Sequence, residues 1–66
     1  MNITLNGEPF VVPGPLTLTD LLARLGIDAR RIAIERNFVV VKRDGYATTD
    51  ISDGDAIEIV NFVGGG

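Results

Sequence analysis

The chain opens on a strict alternation of polar and apolar residues, Asn2-Ile3-Thr4-Leu5-Asn6, which predicts a strand with one face on a core. Asn6-Gly7 follows, a pair that accepts the positive dihedrals of a tight hairpin, and Phe10-Val11-Val12 supplies the returning arm. Pro9 and Pro13 bracket that arm, and because proline cannot donate to a ladder, the arm is expected to be short or at an edge. Leu18, Leu21, Leu22 and Leu25 then recur at i, i+3, i+4 and i+7, the period of a helix with a single apolar stripe. Its ends are marked. Thr17 stands at the N-cap with Asp20 three residues on to cap back, Leu16 and Leu21 fall where a hydrophobic staple belongs, and Gly26 takes the left-handed position after the last turn. About eight residues are too few to hold a helix in water, so the stripe must lie on a sheet.

Alternation resumes at Arg31-Ile32-Ala33-Ile34-Glu35, turns through Arg36-Asn37 and returns as Phe38-Val39-Val40-Val41-Lys42. The returning arm is apolar on both faces, as in a central or doubly covered strand or in one whose outer face meets a partner. Residues 43–45 read as a turn and 46–51 as weakly structured. Ser52-Asp53-Gly54-Asp55 is a tight turn; it lacks the regularly spaced oxygen ligands and closing glutamate of a calcium loop. The last strand begins at Ala56 and runs to Val63. Ile57 and Ile59 point to the helix, which places Val60 and Phe62 with Glu58 on the opposite face, just before Gly64-Gly65-Gly66, unless the chain bends after Val60 and folds Phe62 over the core edge. The order predicts an α+β domain with one helix across a mixed sheet. If the first and last strands pair at its centre, the carboxyl end leaves from the middle of the sheet.

Composition narrows the function. Sixty-six residues make one small domain with no room for a large active site, and there is neither cysteine nor histidine, so thiolate metal sites, iron–sulfur clusters and the usual general base are missing. A net charge of −3 argues against a nucleic-acid partner. Nothing at the amino end has the form of a signal peptide and no apolar stretch is long enough to span a bilayer, so a soluble, cytoplasmic protein is expected. What remains is the end of the chain. Glycines lack a Cβ, so Gly64 and Gly65 could thread a narrow slot and bring a Gly66 carboxylate to a reagent held by another protein, with the apolar Val60, Phe62 and Val63 as the docking surface.

Taken together, the opening Met1-Asn2-Ile3-Thr4-Leu5-Asn6-Gly7-Glu8, Leu21-Leu22 and Leu25-Gly26 in the helix, Ala33-Ile34-Glu35-Arg36-Asn37, Asp53-Gly54-Asp55 and the terminal Val63-Gly64-Gly65-Gly66 resemble the ThiS family over the whole chain. That family comprises sulfur carriers of bacterial thiamine biosynthesis with a ubiquitin-like β-grasp fold. The resemblance implies a β-grasp domain over residues 1–63, with about five strands, followed by a flexible glycine tail, 64–66. It also implies a carrier that is not itself an enzyme, binds no cofactor or metal and is monomeric when free. The adenylyltransferase ThiF would use ATP and Mg²⁺ to activate the Gly66 carboxylate; sulfur from a cysteine desulfurase would convert it to a thiocarboxylate, and the thiazole synthase ThiG would accept that sulfur. Related carriers for molybdopterin (MoaD-like) or tRNA thiolation share fold and tail, as does a ubiquitin-like protein modifier.

Overall fold

The computed structural model describes residues 1–62. Strand β1 (Asn2–Leu5) turns at Asn6 and Gly7, whose φ values of 51° and 81° are those of a two-residue hairpin turn, into β2 (Glu8–Val11). Helix α1 (Leu18–Leu25) follows, then a short 3-10 turn (Ala29–Arg31), β3 (Ile32–Arg36), β4 (Val39–Val41), a second 3-10 turn (Arg43–Gly45) and β5 (Ala56–Asn61). Among the described residues the strands form one sheet in the order β2-β1-β5-β3-β4. β1 and β5 are parallel; every other neighbouring pair is antiparallel. This is the mixed β-grasp arrangement expected, with the first and last strands side by side and β2 on an edge.

The helix is set by its ends. Thr17 Oγ1 accepts the Asp20 amide at 3.1 Å while the Asp20 carboxylate accepts the Thr17 amide at 3.0 Å, a complete capping box. Gly26 sits at φ 69°, and the Gly26 and Ile27 amides donate to the Ala23 and Leu22 carbonyls, closing the last turn. Leu18, Leu21 and Leu22 are buried against Ile3, Ile32, Ile34 and Ile57 from the three central strands. At roughly 2 kcal/mol for each such side chain, this layer is the main source of stability.

Residues 46–51, expected to be weakly structured, are part of the core and of the helix start. Tyr46 and Ile51 are each only 4% exposed. The first free amides of the helix, on Leu18 and Thr19, donate to the Thr49 and Tyr46 carbonyls, so this segment satisfies donors that the capping box leaves over. Of the alternatives for β4, the central or doubly covered strand is excluded, since β4 is an edge strand with exposed valines. It is also shorter than expected, because the turn that precedes it is Asn37-Phe38, with φ 52° and 68°, and this takes Phe38 out of the strand. A run of valines fits either place in a sheet; Val39 and Val40 are each 66% exposed.

Candidate functional site: the outer face of the last strand

β5 is held on both sides nearly to its end. On one side the Thr4 and Asn6 amides donate to the Asp55 and Ile57 carbonyls, and Asn6 Oδ1 accepts the Ile59 amide at 2.7 Å, so the hairpin turn itself extends the contact of β1 with β5. On the other side β3 pairs with β5 from Arg36↔Ile57 through Ile32↔Asn61, and the Phe62 amide donates to the Arg31 carbonyl at 2.9 Å. The backbone leading to the tail is thereby fixed as far as Phe62.

Period two then decides which side chains this strand shows. Ile57 is fully buried under the helix and Ile59 packs at the rim of the core, while Glu58, Val60 and Phe62 alternate to the face without the helix. Val60 is 52% exposed and Phe62 58% exposed, so Phe62 does not fold over the core edge. Val63, Gly64, Gly65 and Gly66, the remaining residues expected to act, lie outside the described residues. Val40 joins the same face from β4, since it stands opposite Glu35, which stands opposite Glu58. Sequence reasoning left Val40 out of the site because its strand carries valines on both faces.

The foot of β5 is fixed by an ionic cluster. Asp55, 5% exposed, accepts from Arg36 Nε at 2.8 Å, Asn37 Nδ2 at 3.0 Å and the Ser52 amide at 2.8 Å. Asn37 completes the link: its Oδ1 accepts the Ala56 amide at 2.9 Å and its own amide donates to the Ala56 carbonyl at 2.8 Å. Burial alone would raise the Asp55 carboxyl, but the Ser52 amide, the Arg36 guanidinium and the Asn37 amide outweigh it and hold the group below the ordinary carboxylate range. The sequence reading took this segment as turn chemistry only. The Asp55 cluster positions the start of β5. Among the described residues no group of three or more potential ligands could hold a metal ion, and no helix is long and apolar enough to cross a membrane.

What this face can do chemically is bind an apolar surface beside a chain end that carries little side chain. The ThiS family model matches residues 3–66. A thiazole synthase of Paramagnetospirillum magneticum is 42% identical over all 66 residues, and this chain spans only 20% of that protein's length. The sulfur carrier protein ThiS of Bacillus subtilis is 40% identical over 50 residues, covering 76% of each chain. The crystal structure of the thiamine biosynthesis protein ThiS from Geobacter metallireducens superimposes with a TM-score of 0.87 at 40% identity, covering both chains completely. With the β-grasp sheet, the exposed end of β5 and a family match that runs through the terminal glycines, the chain belongs to the ThiS family.

Proposed function

We propose that this chain is a sulfur carrier for the formation of the thiamine thiazole, a co-substrate of partner enzymes and not itself a catalyst. Gly66 is the modified residue, Gly64 and Gly65 pass the partner's channel, and Val60, Phe62 and Val63 form the surface that docks. ThiF binds ATP and Mg²⁺. The Gly66 carboxylate oxygen attacks the α-phosphorus of ATP, pyrophosphate leaves, and the resulting acyl-adenylate is a far better electrophile than a carboxylate. The terminal sulfur of a persulfide formed by a cysteine desulfurase displaces AMP, a thiol such as excess cysteine reduces the S–S bond of the resulting acyl disulfide, and the thiocarboxylate so released is taken to ThiG. The cationic and metal groups needed for phosphoryl chemistry belong to ThiF, in keeping with a small acidic domain that has no histidine or cysteine.

The observation that carries this reading is Phe62, a large apolar side chain 58% exposed just past β5, its amide held by the Arg31 carbonyl, four residues from the end of the sequence. A thiazole product, over the molybdopterin and tRNA alternatives, is favoured by the thiazole synthase relative that includes a stretch similar to this whole chain. The test is intact mass of the chain after incubation with ThiF, ATP, Mg²⁺, a cysteine desulfurase and cysteine. The expected product has one oxygen replaced by sulfur at Gly66. An unchanged mass would refute the proposal, and conjugates to lysine that survive a denaturing gel would identify a protein modifier instead.

A further inference from the structure

The outer face of β4, β3 and β5 is polarised along the strands. Ala33 stands opposite Val60, and Lys42 follows Val41, the last residue of β4, which stands opposite Ile34. One row of the face is therefore Ala33 and Val60, with Lys42 just beyond the end of β4. The neighbouring row, farther from the tail, is Val40, Glu35 and Glu58. Arg31 stands beside the tail end of β5, since its carbonyl accepts the Phe62 amide.

Two glutamates directly opposite on adjacent strands repel, so the Glu35↔Glu58 pair costs stability. Among the described residues no ion pair includes either glutamate. The pairs formed there are Asp28 with Arg30 and Arg36 with Asp55, and Arg31 and Lys42 take part in neither. Folding does not explain why an apolar strip of Val40, Val60 and Phe62 should have Lys42 and Arg31, the latter also within reach of the Asp28 carboxylate, toward one end and opposed carboxylates at the other.

We propose that this polarity orients the enzyme that adenylates Gly66: its docking face carries acidic groups around the mouth of its channel, against Arg31 and Lys42, and a guanidinium or ammonium group set back against Glu35 and Glu58. This rests on the carrier reading above. The occupant follows from reach. Four residues beyond Phe62 span at most about 14 Å, so an enzyme whose nucleotide meets Gly66 must cover the surface around Phe62, and with it both sets of charges. Like-charge contact across an interface costs several kcal/mol and is avoided, so the two sets admit one orientation of the enzyme and penalise its reverse.

The test measures ThiF-dependent pyrophosphate release for the full chain and for Lys42→Glu and Glu58→Lys, at low and at high salt. Each reversal should raise KM for the carrier at least about tenfold at low salt, leave kcat nearly unchanged, and lose much of its effect at high salt. Glu58→Lys should at the same time melt no lower than the parent chain, because it replaces a repulsive pair by an attractive one, which separates a docking defect from misfolding. Parent-like kinetics for both variants, or a defect that salt does not relieve, would overturn the inference while leaving the carrier function standing. Normal adenylation with slowed sulfur transfer to ThiG would overturn it too, by assigning the face to the later enzyme. Failure of the parent chain to be adenylated would instead remove the carrier reading itself.

Discussion

Asp55 Oδ2 accepts the Arg36 Nε–H at 2.8 Å, joining the end of β3 to the turn that launches β5 across 19 residues of sequence. The carboxylate is buried and the guanidinium about one-third exposed, so the pair is screened on one side only. Removing one partner leaves the other's hydrogen bonds unmade, which typically costs more than the pair contributes.

The consequence is an acid-sensitive fold. The folded-state pKa of Asp55 is lowered, so its contribution is present above the unfolded value of about 4 and is lost as pH falls through the folded pKa. Asp55→Asn removes that linkage and leaves the Arg36 guanidinium without its counter-charge. The variant should be about 1 to 3 kcal/mol less stable at pH 7 and should lose less stability than the parent between pH 5 and pH 2. Urea melts at a series of pH values check both; parallel acid limbs would show that Asp55 does not carry the dependence.

Phe38 is 82% exposed at φ 68°, a conformation that costs an ordinary residue roughly 1 kcal/mol or more. Phe38→Gly should relieve that strain, offset in part by the greater entropy of the unfolded chain, for a net gain of about 0.5 to 1 kcal/mol. In a domain this small the melting temperature should rise by several degrees, on the order of 2 to 8 °C. A fall would show that the side chain packs on the fold.

The capping box gives a more local expectation. Thr17→Ala takes away the acceptor for the Asp20 amide while leaving the Thr49 and Tyr46 carbonyls on the preceding donors. A loss of about 1 kcal/mol is expected, with the sheet core unchanged in amide exchange. A much larger loss would mean that the cap also holds residues 46–51 in place.

How far each feature could be read in advance depends on how local its cause is. The helix was readable at both ends because Thr17, Asp20 and Gly26 act within one turn of their own positions. The pairing of β1 with β5 stood only as a condition in the alternation of the two strands and came with the β-grasp resemblance, because alternation does not say which strands are neighbours. Asp55 was not readable as a buried ion, because its partners Arg36 and Asn37 come from another turn and the same letters also make an ordinary Asp-Gly turn. Tyr46 and Ile51 carry no periodicity that would place them under the helix. Phe38 was assigned to β4 because an aromatic beside three valines reads as strand, and only the backbone reveals a residue in a left-handed turn. Alternation places Val60 on the outer face, but it leaves Phe62 free to bend over the core edge, and the structure decides for exposure. The part played by Val40 does not follow from alternation, because it needs the register of three strands.

Binding and reaction should separate at the two sides of Val63. Phe62 is more than half exposed, so Phe62→Asp removes little core and should change the melting temperature by no more than a few degrees, whereas truncation of a buried phenylalanine costs about 3 to 5 kcal/mol. On the carrier reading, the aspartate puts a charge into an apolar contact that ground state and transition state share. KM for the carrier in the ThiF reaction should rise about tenfold or more while kcat at saturation is nearly kept. Gly65→Val acts at the other end. A β-branched side chain restricts the backbone and widens the segment that must enter the channel, but it leaves the docking face alone. KM should then stay within a few fold while kcat falls, because a docked carboxylate that cannot meet the α-phosphorus does not react. Steady-state pyrophosphate release, with carrier as the varied substrate, measures both. If Gly65→Val turns over at the parent rate, the glycines are not there to pass a narrow channel; if Phe62→Asp keeps the parent KM, the exposed end of β5 is not where ThiF binds.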